Sequence, residues 1–228
     1  MTPQEKFFKN FSLASCFHYL TDNELEILSQ KKTELLYEKG ENLLKEGAFA
    51  SHVMYVIEGL TKVYIQAGPR KHVNLSIARQ GDFLGFSSIF GKEAYSYSCL
   101  ALKDTRVCMF NKEALRQVLI KNPTFAMMIT SRNYRIENQL LEIIKNISYK
   151  QMRGKLASAL CYLSSDEFLA EGVFLSLTRQ DIADFAGITQ ESTVKFLKEF
   201  EREGWLELQK KDILIQDKNK LQLISKSG

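Results

Sequence analysis

Metal-ligand spacing is missing from this sequence. Its 228 residues hold three histidines, His18, His52 and His72, and four cysteines, Cys16, Cys99, Cys108 and Cys161, all far apart. No two cysteines have the two-residue spacing of a zinc or redox site, so free thiols are expected. With no metal set and no nucleophile–base pair, an enzyme is not expected. Long apolar runs are also missing: none approaches the roughly 18 residues of a membrane span. The opening "MTPQEKFFKNF" lacks the apolar core of a signal peptide, so a cytoplasmic protein without membrane contact is expected. A basic C-terminal half is missing too. The net charge is +4, yet residues 146–228 carry 12 basic and 12 acidic side chains. Bulk charge therefore does not identify a nucleic-acid binder, and a claim of that kind needs a local pattern.

What is present is a chain that can bury a full core, with 45% hydrophobic and 25% charged residues. It divides into three regions. A helical lead occupies about residues 3–30, with Thr21 or Asp22 placed to cap a helix from Asn23. Residues 33–112 read as short strands separated by glycine turns, among them "HVMYVIEGLTKVYIQ", "HVNLSIA" and "TRVCMFN". That spacing predicts a β-barrel or jelly roll. Beyond a short helix stopped by Pro123 lies a long segment without Gly or Pro. Ala126, Leu140 and Ile147 fit one core position of a heptad and Ile129, Ile136 and Ile143 the other, with Asn133 in the first series. This pattern is read as a dimer seam through Ile129, Asn133, Ile136, Leu140, Ile143 and Ile147; a helix packed on its own barrel gives the same pattern.

The most informative stretch is "LTRQDIADFAGITQESTVKFLKEFEREGWLEL". Thr178 is placed to cap a short helix, with Asp181 in the capping-box position. Gly187 supplies the turn to a second helix capped by Thr189 and ended by Gly204. Val194, Leu197 and Phe200 are expected to point inward. Gln190, Glu191, Ser192 and Lys195 then face outward near the start of the second helix, where a helix-turn-helix meets the major groove. Glutamate can accept from cytosine, lysine can donate to guanine, and glutamine can pair with adenine. Lys198, Lys210 and Lys211 are left for phosphates. A helical hairpin with a merely solvated polar face would share much of this pattern.

Thr178 to Leu206 resembles the winged helix-turn-helix of the Crp/Fnr family of bacterial transcription regulators. "GAFASHVMYVIEGLTKVY" resembles that family's β-roll signature, and "GDFLGFSSIF" its pocket segment. The resemblance implies an α+β chain: a β-roll sensor domain over residues 1–122, a dimerisation helix over 123–147 and a winged helix-turn-helix over 148–228. It implies a homodimer on a pseudo-palindrome in double-stranded DNA, with RNA polymerase as partner. Thr178, Arg179 and Thr189 join Gln190, Glu191, Ser192, Lys195, Lys198, Lys210 and Lys211 as the DNA-binding set. Lys195 departs from the arginine usual in the family, and lysine lacks the bidentate fork.

The glycines of "GDFLGFSSIF", residues 81–90, suggest a backbone that approaches a phosphate closely. In the cyclic-nucleotide-binding members an acid follows the second glycine, and an Arg-Ser pair lies about ten residues on. The corresponding residues here are Phe86, Ser96 and Tyr97, and Leu140 and Leu141 stand where two hydroxylated residues meet the base. An anionic phosphate without a cation would be strongly penalised, so a signal other than cyclic AMP is expected. The expected pocket wall is Phe83, Gly85, Phe86, Ser87, Ser96, Tyr97, Leu140 and Leu141. It encloses either an apolar ligand or a plain core. No cofactor is predicted; haem, held by His52, His72 or a methionine, and other small ligands stay open. A hinge is expected near Asn146 to Lys150. A C-terminal domain that binds protein instead of DNA is the competing expectation.

Overall fold

The computed structural model describes residues 16–227 apart from 31 and 70; the side chains of residues 132–139, 147 and 227 lie outside that description. The part of the expected lead helix before residue 16 therefore lies outside the described residues, as do the side chains of Asn133, Ile136 and Ile147 in the expected seam. The chain gathers into two compact units, Met1–Ile65 with Ser76–Asn138, and Gln66–Leu75 with Gln139–Gly228.

Two four-stranded sheets form a roll, all of it in the first unit except the hairpin residues 66–75. β1 (Lys32–Tyr37), β3 (His52–Glu58), β6 (Phe83–Leu84) and β8 (Thr105–Asn111) form one sheet in the order β1-β8-β3-β6. β2 (Asn42–Leu44), β4 (Leu60–Gly68), β5 (Lys71–Arg79) and β7 (Ser98–Ala101) form the other, in the order β2-β7-β4-β5. Gly59 (φ +106°) divides the apolar run that feeds β3 and β4, and a Cβ there would meet the Asp104 carbonyl at 2.6 Å. Only glycine fits that crossing.

β3 is buried at five consecutive residues, Val53–Ile57. Alternation is lost because the sheet is covered on both faces. On the outer face Val53, Tyr55, Ile57 and Phe110 join one cluster with the 3-10 turn Cys16–Tyr19, α1 (Asp22–Gln30), α2 (Lys112–Lys121) and the start of α3 (Pro123–Tyr149). Phe17 is its hub, with ring centroids 5.0 Å from Tyr55, 5.5 Å from Phe110 and 5.9 Å from both Phe83 and Phe125.

This packing corrects the expected seam at one residue. Ile129 is wholly buried in that cluster, so its apolar surface is already satisfied within the chain. Leu140 and Ile143 are half-buried. Among its described residues α3 leaves Met127, Met128, Leu141, Ile144 and Tyr149 exposed, of which Met127, Leu141 and Ile144 stand one position away from the two heptad series.

In the second unit α4 (Met152–Leu163), α5 (Asp166–Ala170), α6 (Val173–Ser176), α7 (Arg179–Ala186) and α8 (Gln190–Arg202) precede the hairpin β9 (Leu206–Gln209) and β10 (Asp212–Ile215), and α9 (Lys218–Ser227) follows. Helix α3 stops at Tyr149, and Gln151 (ψ 162°) starts α4, so the chain breaks within and just beyond the expected hinge. Within this unit the side chain of Asn74, fully buried, donates to the Asp181 carbonyl at 3.0 Å.

Glu24 ties α1 to the α2–α3 junction. Its Oε2 accepts from Thr21 N–H at 2.8 Å, Thr21 Oγ1 at 3.0 Å and Asn122 Nδ2 at 2.9 Å. Asn122 also donates to the Tyr19 carbonyl and accepts from Phe125 N–H. Burial pushes the Glu24 carboxyl up, but these donors outweigh it and leave the group below its usual range. Because the folded group is the stronger acid, its stabilisation is present above the unfolded pKa and is lost as pH falls through the folded one. Glu24→Gln is expected to melt below the wild type at pH 7, with the gap closing towards pH 3. A gap that stays constant in thermal melts from pH 7 to 3 would refute the ionised cap.

Candidate functional site

The helix-turn-helix is assembled by local bonds. Thr178 Oγ1 accepts from Asp181 N–H at 3.0 Å while Asp181 Oδ2 accepts from Thr178 N–H at 2.8 Å, closing the capping box at the start of α7. Gly187 (φ 64°) turns the chain, and Thr189 caps α8 by accepting from Ser192 N–H at 3.2 Å. Thr193, Leu197 and Phe200 face inward from α8. Val194, expected to be inward, is only half-buried. Thr193 takes that place because its hydroxyl is satisfied by the Thr189 carbonyl at 3.0 Å, which lets it be buried.

This inward row leaves Gln190, Glu191, Lys195 and Lys198 exposed, together with Thr178 and Thr189. Ser192 is half-buried, with its hydroxyl against Thr189 Oγ1 at 3.1 Å and the Met152 sulfur at 3.7 Å. At the hairpin tip Lys210 adopts φ 54° and both Lys210 and Lys211 are exposed. Arg179, expected among the DNA ligands, is half-buried and Nη2 donates to the Lys210 carbonyl at 3.4 Å. It holds the wing turn against the start of α7. The surface thus offers two exposed lysines on a hairpin and a polar helix start, with acceptor and donor groups side by side.

Arg153 supports α8 from behind. Its Nη2 contacts both Glu203 oxygens at 2.6 Å, and its guanidinium lies 5.3 and 5.1 Å from the Phe200 and Trp205 rings, which stack at 4.9 Å. Sequence reading missed this pairing, which joins residues 50 positions apart. An arginine set before an aromatic pair is too common a pattern to find it.

In the first unit the segment 81–90 forms β6 and the 3-10 turn Phe86–Phe90, with Gly85 at φ 72° before it and Gly91 at φ 91° after it. The expected wall residues do not all converge. Phe83 and Phe86 are buried in the Phe17 cluster, their centroids 6.1 Å apart. Ser87 is half-buried; Ser96 is exposed and accepts from Lys92 Nζ at 3.2 Å. Leu140 and Leu141 belong to the second unit, so the pocket segment is described from residues of the first alone. Tyr97 does converge on the segment: Gly85 N–H donates to its hydroxyl at 2.7 Å. Tyr95 covers the same glycine, its Cε1 2.7 Å from where a Cβ would stand, and its hydroxyl donates to the His52 carbonyl at 2.8 Å. The backbone donor of a phosphate-type turn is therefore taken by a phenol. Burial pushes the Tyr97 phenol well above its usual range, so it stays protonated and neutral.

Among the described residues no group of three or more His, Cys, Asp or Glu is placed to hold a metal, and no helix is long and apolar enough to cross a membrane. His52 Nδ1 lies 2.8 Å from Ser51 Oγ.

Comparison with known proteins bears on both units. A family model described as cyclic nucleotide-binding domain matches residues 34–122, and one described as Crp-like helix-turn-helix domain matches residues 154–224. A CRP-like cAMP-activated global transcriptional regulator of Mycobacterium tuberculosis is 24% identical over 216 residues, covering 91% of this chain and 95% of that protein. The anaerobic regulatory protein of Bacillus subtilis is 26% identical over 202 residues, 85% of this chain and 83% of its own. Among solved structures, a transcriptional regulator of the crp/fnr family from Eubacterium rectale superposes with a TM-score of 0.74 at 20% identity, covering 96% of this chain and 99% of that one.

Removing the Tyr97 hydroxyl leaves the Gly85 donor without its partner. Tyr97→Phe is expected to destabilise the protein by about 1–3 kcal/mol, the cost of an unmade buried hydrogen bond, read from urea unfolding. An unchanged midpoint would show that the bond contributes nothing.

Proposed function

The chain belongs to the Crp/Fnr family of helix-turn-helix transcription regulators, and we propose that it reads a pseudo-palindromic operator as a homodimer under a signal other than cyclic AMP. The observation that carries the reading is the two-sidedness of α8. Thr193, Leu197 and Phe200 are buried while Gln190, Glu191 and Lys195 are exposed at its N-terminal half, which is the part a recognition helix presents to the major groove. Glu191 is the candidate acceptor for a cytosine amino group and Lys195 the candidate donor to guanine. Lys198, Lys210 and Lys211 meet phosphates, and Thr178, Thr189 and Ser192 flank the reading face, with Arg179 fixing the wing.

Two copies of the reader, about 34 Å apart, match one turn of duplex. The exposed Met127, Leu141 and Ile144 on α3 supply apolar surface for the pairing, in place of the buried Ile129. Functionally the chain divides into a sensor over residues 1–122, a dimerisation helix from 123 to about 147 and a reader over 148–228. It works in the cytoplasm, acts on RNA polymerase, and catalysis plays no part. The competing expectation of a protein-binding C-terminal domain is not favoured, since the relatives matching that domain are transcription regulators.

The relatives named as cAMP-activated do not transfer that signal to this chain. Phe86 and Ser96 supply no counter-charge, and the Gly85 donor is already bonded to Tyr97. Titration with cyclic AMP is expected to leave the melting temperature unchanged; a saturable rise at micromolar nucleotide would overturn this part of the reading.

Base reading and phosphate contact separate in a selection experiment. Glu191→Ala is expected to relax preference at one position of each half-site. Lys210→Ala is expected to weaken binding on all sequences alike and to flatten the salt dependence by about one unit of log–log slope. Identical site-selection profiles for wild type and Glu191→Ala would remove Glu191 from the reading face.

A further inference from the structure

We propose that the first unit carries a binding site for an amphiphilic anion of the medium-chain carboxylate class, in the groove between the 3-10 turn Phe86–Phe90, α2 and the first turns of α3. It lies apart from the Gly85 seat that Tyr97 fills, and its occupancy is the signal. This deepens the sensor reading above and rests on it only for the signalling role.

Two adjoining cavities make the site. One, of about 300 Å³, is lined by Phe86, Ile89, Phe90, Leu119, Ile120 and Ala126, with Arg116 and Thr130 as its polar members. The other, of about 450 Å³, shares Ile89, Phe90 and Arg116 and adds Ser88, Lys112 and Glu113. An apolar lobe thus opens into a polar one, and Arg116 stands where they meet. Each volume falls in the range of small-molecule sites, roughly 300–1,000 Å³.

The chemistry of the two lobes selects the ligand. Phe90 and Ile120 are 74% and 69% exposed, an apolar pair left uncovered in a groove. An alkyl chain laid between them removes that surface from water. Two cations line the polar lobe, Arg116 and Lys112, the ammonium of the latter 5.4 Å from the Phe49 ring, against one carboxylate, Glu113. The Arg116–Glu113 contact is 4.0 Å long with both side chains more than half exposed, too weak to hold the guanidinium against a better partner. A ligand carboxylate can take the bidentate geometry that Glu113 does not reach. Ser88 adds a second, independent observation. It lines the polar lobe, its side chain is buried, and among the described residues its hydroxyl has no hydrogen-bond partner. A nucleotide fits less well, because the lobe that runs from Arg116 along α2 and α3 is lined mainly by the aliphatic Ile89, Leu119, Ile120 and Ala126.

The site is also placed to report. Phe86 packs on Phe83 within the Phe17 cluster, and Ala126 lies between Phe125 and Ile129, which anchor α3 in that cluster. A chain inserted between them bears on the seat of the long helix.

The test is calorimetry and thermal melting of the full chain with sodium decanoate, 1-decanol and sodium acetate. Decanoate is expected to bind saturably at micromolar to millimolar concentration and to raise the melting temperature, and acetate to do neither. Arg116→Gln is expected to weaken decanoate about tenfold or more, as loss of a charged hydrogen-bond pair should, and Ile120→Glu to abolish binding. Both residues are exposed, so each variant should melt like the wild type without ligand. No binding of decanoate, equal affinity for decanol, or undiminished binding in both variants would overturn the proposal. So would an inert decanoate together with an Ile120→Glu variant that sediments as half the wild-type mass, since the groove would then be covered by a second copy. Decanoate that binds without changing affinity for the selected operator would overturn the signalling role. Calorimetry needs no DNA, so a failed operator assay leaves the site to stand or fall by itself.

Discussion

The first unit depends on one aromatic side chain near its beginning. Phe17 touches rings contributed by β3, β6, β8 and α3, so a single residue outside the roll holds sheet and long helix together. Aromatic pairs add about 0.5–1.5 kcal/mol each beyond buried area, and a cavity at such a hub costs about 3–5 kcal/mol. The hub also fixes what the pocket segment can present. Phe83 and Phe86 are drawn inward as part of the same cluster, so position 86 serves the core. The family's acid would have to be buried there beside the Phe83 and Phe90 rings, at a desolvation cost that the phenyl group avoids.

The second unit is organised by a different physics. Its reading helix is aligned by short-range bonds, two threonine caps and one glycine turn, and braced by Arg153 between Glu203 and the Phe200–Trp205 stack. An arginine that meets a carboxylate and lies over two rings has little freedom left. This stiffness matters because base contacts discriminate only if the side chains that make them arrive in a fixed register.

These two physics explain what the sequence made legible. The capping box at Thr178 and Asp181, the turn at Gly187 and the cap at Thr189 all lie within one short stretch, positions 178 to 189, and the structure holds them as expected. The roll was readable as a class from its short strands and glycines. The pairing of Gly85 with Tyr97 was not, because it spans twelve positions and a tyrosine carries no mark of its hydrogen-bond partner. The long helix shows the limit of periodicity. A heptad registers one apolar stripe but not which surface covers it, and Ile129 went to the chain's own core while Met127 stayed outside. Thr193 shows the same limit in miniature, since a hydroxyl becomes buriable only once the carbonyl of Thr189 is known to lie above it. Arg179 was expected in the DNA-binding set, yet its Nη2 is engaged by the Lys210 carbonyl of the wing.

The phenol at Gly85 has a consequence for information. A diffusible ligand reports its own concentration because it leaves the seat when it becomes scarce. Tyr97 is tethered by its own backbone twelve residues away, and nothing outside the protein changes how much of it there is. The seat is therefore saturated in every condition the cell can impose and carries no message. In this regulator the oldest-looking part of the pocket has become a constant, and any variable the protein measures must enter through a surface that is still open.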